Sequence, residues 1–302
     1  MIKEFYSNGK LLISGEYVVL DGAYGWAIPT KFGQYLRVLK TKSSRLSWKS
    51  LDEKGKPWFE AVYEIVPLTE ISSSDKATSH TLLKILSEAQ RLNSSFLLDS
   101  IGLEIEAKLT FPRDWGLGTS STLINNIANW AKVNPYTLLS RTFGGSGYDI
   151  ACAQYNTPIV YELKNGLPII EEVSFNPKFK EQLFFVHLNK KQNSRAAIAA
   201  YKERHIDKKR LIEQINQITK KLIAAKQLPD FELLMSRHEQ LLSEALGATP
   251  VKARLFPDYF GAIKSLGAWG GDFVLATGNT ETPAYFKEKG HTTVIPFEKM
   301  ML

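Results

Sequence analysis

The sequence contains one cysteine, Cys152, and no long apolar run. A single thiol excludes an intramolecular disulfide framework and a cysteine-rich zinc module, so a reducing compartment is expected. No stretch approaches the ~18 apolar residues that span a bilayer, and no apolar run of signal-peptide length opens the chain. These absences predict a soluble cytoplasmic protein without a membrane partner.

Positive charge is in excess, because 38 Lys and Arg stand against 31 Asp and Glu and give a formal net charge of +7. Such an excess favours anionic partners, nucleic acid among them. No basic stripe with interleaved aromatic residues is present, and the basic doublets lie far apart, between Glu and Gln. We therefore expect no nucleic-acid partner. Phosphorylated small molecules explain the charge equally well.

The chain has 302 residues, which at roughly 150 per domain indicates two domains or one large one. With 44% hydrophobic residues, including 16 Phe, it has ample material for a core. The polar, proline-containing segment SFNPKFKEQ gives the most plausible boundary. We predict domains over residues 1–178 and 179–302.

Apolar spacing predicts strands first, then helices, then strands again. This order favours an α+β protein in two layers rather than a regular βαβα barrel. The predicted strands are YVVL, YLRV, the arms on either side of a hairpin loop at 52–57, GLEIEAKLTF, LFFVHL, DFVLATG and TTVIPFE. The predicted helices are residues 77–92, the segment after TSST, 207–226 and 231–246.

A glycine-rich loop, PRDWGLGTSST (112–122), lies between a predicted strand and a predicted helix. Gly116 and Gly118 let the backbone turn sharply and bring its N–H groups close to an anion. Residues 119–121 add hydroxyls where free N–H groups and the helix dipole attract negative charge, and a hydroxyl there can reach a phosphate-bound Mg²⁺. The loop matches neither the Walker A pattern nor the dinucleotide pattern. An ordinary Ser/Thr-capped helix is the alternative.

Two further glycine clusters have the same character. GGSGYDIA (144–151) places Asp149 just beyond a flexible loop, and SLGAWGGDF (265–273) leads into a predicted strand. Each can be read as a tight turn, and Asp149 as a simple helix cap. Three such loops, together with NGK and SGEY near the start, favour a shared phosphate-handling role.

Taken in order, these segments resemble the motifs of the GHMP kinase superfamily, which includes galactokinase, homoserine kinase, mevalonate kinase and phosphomevalonate kinase. GKLLISGEYVVLDGAYGWAIP (9–29) resembles the first motif, PRDWGLGTSST the second, and IKSLGAWGGDFVLA (263–276) the third. GSGYDIA resembles the segment that carries the family's catalytic aspartate, and GYDIA labels a bacterial subgroup. The resemblance covers residues 9 to 276.

Details of the motifs lean towards phosphomevalonate kinase. The first motif reads G-E-Y at residues 15–17, where mevalonate kinases and galactokinases prefer G-E-H, and the third contains GGD. The segment LNKKQNSRAAI (188–198) resembles a loop of the isoprenoid kinases, with Arg195 matching. Trp269 departs from the pattern at a position that is usually glycine. No equivalent of the acidic Mg²⁺ ligand of mevalonate kinases is present.

The resemblance implies a GHMP kinase fold, with an N-terminal mixed-sheet domain and a ferredoxin-like C-terminal domain. It also implies ATP- and Mg²⁺-dependent phosphoryl transfer to a small-molecule acceptor, with phosphomevalonate in isoprenoid synthesis by the mevalonate pathway as the leading reading. Asp149 and Lys10 become the catalytic residues, and Ser120 the Mg²⁺ ligand. The implied ATP-binding residues are Pro112, Gly116, Leu117, Gly118, Thr119, Ser120 and Ser121. The implied acceptor-binding residues are Glu16, Ser146, Gly147, Ser194, Arg195, Gly267, Ala268 and Gly270, with Lys190 and Lys191 as further candidates.

Alternative readings stay open at this point. Within the fold they are a mevalonate kinase, a sugar kinase or a diphosphomevalonate decarboxylase. A non-catalytic nucleotide-binding regulator is favoured by Trp269 and disfavoured by the presence of Lys10, Ser120 and Asp149. The acceptor, the adenine contacts and the oligomeric state, a homodimer included, are left undecided by the residues.

Overall fold

A computed structural model describes residues 2–98, 102–190 and 194–302, with the side chains of residues 194–196 outside that description. The chain divides into two compact units. Unit 1 comprises Met1–Gly9, Phe32–Arg113 and Leu117–Gln154, and unit 2 comprises Lys10–Lys31, Asp114–Gly116 and Tyr155–Leu302. Two long strands, Ile2–Ser14 and Gly25–Lys40, each contribute residues to both units.

The regular elements alternate strands and helices along the chain. The strands are β1 (Ile2–Ser14), β2 (Gly25–Lys40), β3 (Arg45–Leu51), β4 (Pro57–Glu64), β5 (Thr69–Ser73), β6 (Leu103–Leu109), β7 (Ile159–Lys164), β8 (Leu167–Glu172), β9 (Leu183–His187), β10 (Ile263–Ser265), β11 (Phe273–Thr277) and β12 (Val294–Pro296). The helices are α1 (Lys76–Leu92), α2 (Thr119–Ala131), α3 (Pro135–Thr142), α4 (Tyr148–Gln154), α5 (Ser194–Lys202), α6 (Lys208–Ala224), α7 (Leu228–Leu246), α8 (Val251–Leu255), α9 (Thr282–Glu288) and α10 (Phe297–Met300).

Unit 1 is built on a mixed sheet in the order β5-β4-β3-β6-β2, with β1 also paired to β2. The β3–β6 pair is parallel, whereas β4–β5, β3–β4 and β2–β6 are antiparallel. Helix α1 begins where the Asp75 side chain accepts a hydrogen bond from the Thr78 N–H group at 2.7 Å. Its buried face packs into the core with residues of the sheet and of α2 and α3; these α1 residues are Leu82, Ile85, Leu86 and Ala89.

Unit 2 contains the β7–β8 hairpin, whose strand β7 pairs with the start of β2, and a separate four-stranded sheet. That sheet is antiparallel throughout, in the order β10-β11-β9-β12. Along the chain the strands follow a βαββαβ course, so the third strand is inserted between the first and the second. This split βαβ arrangement confirms the predicted ferredoxin-like sheet.

The predicted α+β class is confirmed, and two local predictions are wrong. YVVL is not a strand, because Val18–Asp21 form a short 3-10 helix after Tyr17, whose φ of 63° turns the chain out of the extended region. TTVIPFE is a strand only over β12 and continues as α10.

The division into units also differs from the single predicted boundary at residue 178. Residues 155–178 lie in unit 2, because β7 pairs with Gly25–Ala27 of that unit. Across the described residues, every helix is either too short or too polar to cross a lipid bilayer.

Candidate functional site

The second-motif loop ends in unit 1 at the N-terminus of α2. Gly118 is the residue before the helix, with a φ of 92°, and no side chain caps this end within the described part of the chain. Ser121 Oγ instead donates to the Gly118 carbonyl at 2.8 Å, while Ser120 is exposed. The Ser/Thr-capped alternative is therefore wrong. No side chain accepts from the first N–H groups of α2 in the described residues. These N–H groups can therefore donate to an anion.

A network of neutral side chains holds α2 in unit 1, and we call these five residues the neutral network: Ser7, Gln34, Thr122, Asn125 and Asn126. Ser7 Oγ donates to Asn126 Oδ1 at 2.7 Å and accepts from Asn125 Nδ2 at 2.9 Å. Asn126 Nδ2 donates to the Gln34 carbonyl at 2.9 Å, and Thr122 Oγ1 donates to Gln34 Oε1 at 2.8 Å. All five residues are buried, so the network sets the position of α2 through satisfied hydrogen bonds.

Asp149 lies in the first turn of α4, also in unit 1. The helix begins after Gly147, which has a φ of 91° and whose carbonyl accepts from the Ile150 and Ala151 N–H groups. Gln154 Nε2 donates to Asn125 Oδ1 at 3.0 Å and so ties α4 to α2. The structure leaves Asp149 partly exposed, while its neighbour Ser146 is buried at 9% exposure.

Residues of all three motifs meet around Gly116 in unit 2. Lys10 Nζ, from the first motif, donates to the Gly116 carbonyl at 3.1 Å. Asp272, from the third, lies so close to the Gly116 Cα that an added Cβ would be 2.4–2.8 Å from the carboxylate atoms. Gly116 also has a φ of 67°. Glycine is therefore required here both by backbone conformation and by the Asp272 side chain.

The first-motif Glu16 is completely buried in unit 2, and its carboxylate is bonded to the equally buried Lys264. Burial raises the pKa of Glu16 to about 7, against the opposing attraction of the Lys264 ammonium. Glu16 Oε2 also lies 3.3 Å from His238 Nε2, which already accepts from the Gly15 N–H group at 3.2 Å. The acceptor-binding role predicted for Glu16 stays a prediction, since in the structure its partners are protein groups.

Helix α7 extends this group. Glu239 accepts from the Ser265 backbone N–H and from Ser265 Oγ, both at 3.0 Å. Burial, opposed by Lys264, raises the pKa of Glu239 to about 8, and burial together with Lys264 holds the pKa of His238 well below its usual value. We call Glu16, His238, Glu239 and Lys264 the buried charge cluster. Sequence reasoning missed the last three; the available signal was Lys264 in the third-motif segment, where the strand Ile263–Ser265 is entirely buried.

The third-motif loop contains four residues with positive φ in unit 2: Gly267 at 60°, Trp269 at 24°, Gly270 at 88° and Asp272 at 51°. Ala268 and Trp269 are buried, at 8% and 6% exposure. Trp269 thus occupies a glycine-like backbone conformation while its ring is packed away from solvent. The loop therefore turns tightly with a tryptophan at the position where the family pattern has glycine.

The predicted acceptor loop is described only in part. Lys190 is exposed, whereas Lys191 lies outside the described residues. Ser194 and Arg195 begin α5, and their side chains are outside the description. Among the described residues, no group of three or more His, Cys, Asp or Glu side chains could hold a metal ion. Ser120, exposed at the start of α2, stays a predicted Mg²⁺ ligand.

By sequence, the chain matches no family model and no curated protein. By structure, it is similar to Methanococcus jannaschii mevalonate kinase, at a TM-score of 0.70 and 14% identity over 96% of this chain and 94% of the other. Streptococcus pneumoniae phosphomevalonate kinase, solved with phosphomevalonate and AMPPNP, gives a TM-score of 0.70 and 13% identity over 95% of both chains. The chain has the GHMP kinase fold.

A third GHMP kinase, Lactococcus lactis galactokinase complexed with galactose, gives a TM-score of 0.68 and 14% identity over 95% of this chain and 88% of the other. These kinases act on different acceptors, so the shared GHMP kinase fold leaves the acceptor open. Function has to be argued from the residues of the three motifs.

Proposed function

We propose that this protein is an ATP- and Mg²⁺-dependent small-molecule kinase that phosphorylates an acceptor already bearing a phosphate, as a phosphomevalonate kinase does. The observation that carries the proposal is the meeting of Lys10 and Asp272 on Gly116, which joins the three motifs in unit 2. The similarity to a phosphomevalonate kinase solved with AMPPNP supports the nucleotide.

Phosphoryl transfer needs charge neutralisation and in-line positioning more than covalent chemistry. Backbone N–H groups of residues 116–121 hold the triphosphate, and the uncapped start of α2 supplies part of that set. Lys10 offsets negative charge on the transferred group. Bound Mg²⁺ would neutralise phosphate charge, and the Ser120 hydroxyl is the oxygen that would hold it.

Asp149 orients the acceptor, and takes its proton where the acceptor is an alcohol. A phosphate group has its second pKa near ~6 and needs little help from a base at neutral pH. We expect Asp149→Asn to lower turnover with phosphomevalonate by less than about 100-fold, the lower end of general-base contributions. Steady-state ADP release checks this, with the exposed Asp230→Asn as the matched control. A larger loss would mean that Asp149 acts as an essential base.

Three features support a phosphorylated acceptor: the net charge of +7, the G-E-Y form of the first motif and the segment that contains Arg195. An anionic acceptor beside ATP increases the negative charge that cationic side chains must balance. The Arg195 guanidinium can grip a phosphate through two parallel hydrogen bonds. We assign it to the acceptor phosphate on this ground.

The deciding experiment measures ADP release with mevalonate, phosphomevalonate, diphosphomevalonate, galactose and homoserine. Release with phosphomevalonate well above the others supports the proposal. Preference for mevalonate or galactose would retain the kinase and overturn the phosphorylated acceptor. ATP binding without ADP release for any acceptor would favour the non-catalytic reading, to which Trp269 in the third motif points.

A further inference from the structure

His187 is the last residue of β9 and lies directly beneath part of the second-motif loop in unit 2. Its side chain is buried, at 3% exposure. Its backbone is held from both sides, because its N–H donates to the Thr293 carbonyl at 3.0 Å and its carbonyl lies 3.1 Å from His291 Nδ1. It also stands opposite Phe273 in the β9–β11 register. The imidazole therefore projects from a rigid part of the sheet.

The ring contacts the loop in two ways. His187 Nε2 lies 3.2 Å from the Asp114 carbonyl, and since a carbonyl only accepts, Nε2 is the protonated ring nitrogen. The ring also lies 5.1 Å from Phe273 and 6.4 Å from Trp115, measured between centroids. Trp115 in turn meets Phe273 edge-on at 5.6 Å and 90°. Trp115 is thus seated against two rings of the sheet.

This contact lies next to the residue on which the motifs converge. Asp114–Gly116 is the part of the second-motif loop that belongs to unit 2, and Gly116 is the partner of Lys10 and Asp272. Lys10 and Asp272 act on one end of the segment, and His187 with Phe273 acts on the other. The carbonyl of Asp114 and the ring of Trp115 are then the two points that fix the approach to Gly116.

We propose that His187 is a positioning residue for nucleotide binding by the second-motif loop. It holds Asp114–Gly116 by its Nε2–H bond and by its ring contact with Trp115. The nucleotide part of this inference rests on the proposed function. His187 acts on the loop backbone and on Trp115, not on the phosphates themselves. By holding the loop in place before ATP binds, His187 reduces the conformational entropy that the loop loses on binding.

Two substitutions separate the hydrogen bond from the packing. His187→Phe keeps an aromatic ring beside Trp115 and Phe273 but removes the N–H donor, whereas His187→Gln keeps an amide N–H at a similar reach. We expect His187→Phe to weaken ATP binding by about 3- to 10-fold, the equivalent of one hydrogen bond. His187→Gln should restore most of the affinity. His80→Phe, the same exchange at an exposed histidine of α1, is the control.

Calorimetry with ATP gives the first readout, and hydrogen–deuterium exchange of the peptide spanning 112–122 without nucleotide gives the second. We expect faster exchange in His187→Phe than in His187→Gln. ATP affinity and loop exchange in His187→Phe equal to those of the unaltered protein would overturn the proposal. If His187→Phe does not fold, Trp115→Leu carries the test, and unchanged ATP affinity and loop exchange in that variant would overturn it.

The exchange measurement also separates this inference from the proposed function. If the unaltered protein binds no ATP, the proposed function fails. Hydrogen–deuterium exchange of the peptide spanning 112–122 would still test whether His187 positions the loop.

Discussion

The two units support their motif segments with opposite chemistry. In unit 1, α2 rests on the neutral network, whose members are amides and hydroxyls joined at 2.7–2.9 Å. In unit 2, the first-motif turn and the start of the third motif rest on the buried charge cluster, with two carboxylates, one ammonium and one histidine. Both sets lie almost entirely out of solvent.

The neutral network and the buried charge cluster differ in how completely their polar atoms are hydrogen-bonded. Every member of the neutral network has a hydrogen-bond partner of suitable type, which keeps the cost of burial low. In the buried charge cluster, Glu16 Oε2 and His238 Nδ1 have no hydrogen-bond partner among the described residues. Two carboxylates also face one ammonium, which leaves one excess negative charge when both are ionised. The cluster is therefore sensitive to pH, and the neutral network is not.

Removing the Lys264 ammonium should have the largest effect on the free energy of unfolding. Lys264→Met leaves Glu16 and Glu239 without their cation in a buried position. We expect the free energy of unfolding to fall by about 3–5 kcal/mol, as when one partner of a buried ion pair is deleted. Urea denaturation at pH 7 measures it. A loss below about 1 kcal/mol would show that the carboxylates do not depend on Lys264.

A comparable substitution in the neutral network should lower the free energy of unfolding by less. Asn126→Ala removes the acceptor of the Ser7 hydroxyl and a donor to the Gln34 carbonyl, while Asn125 still donates to Ser7. The expected loss is about 1–3 kcal/mol, the cost of unpaired buried polar groups. Denaturation at pH 5.5 and pH 8 should give the same loss relative to the unaltered protein. A loss that changes with pH would break the distinction between the two sets.

The smallest effect is a slope of stability with pH. Folding raises the pKa of Glu239 to about 8 and that of Glu16 to about 7, from an ordinary carboxyl value of 4.5 for each. The folded state thus binds more protons than the unfolded state between about pH 4.5 and pH 8. The stabilisation is complete below pH 4.5 and is lost progressively as the pH rises from there through 7 and 8, by about 1.4 kcal/mol per pH unit for each proton that the folded state binds in excess.

Glu239→Gln should flatten that slope, because it removes the group with the higher pKa, and Asn126→Ala should leave the slope unchanged. Denaturation curves collected from pH 5 to pH 8.5 test both expectations. Stability that rises over this range in the unaltered protein would reverse the sign and contradict the assignment.

Local elements were the most predictable part of this protein. The apolar spacing of α1, α6 and α7 predicted helices close to their observed bounds. The loops before α2 and α4 were predicted from their glycines, and Gly118 and Gly147 take the left-handed φ values that favour glycine. The strand prediction for YVVL failed because strand propensity in four residues does not report the positive φ of Gly15 just before the segment or of Tyr17 at its start.

Residue patterns alone were enough to predict where the helices form, where the chain turns and which segments resemble GHMP kinase motifs. Which side chains meet follows from the tertiary fold. Glu16 and Lys264 are 248 residues apart along the chain, and Lys10 and Gly116 are 106 apart. Helix and strand patterns report which face of an element is apolar, and they act over a few residues. The identity of a partner for a buried charge depends on the path of the whole chain.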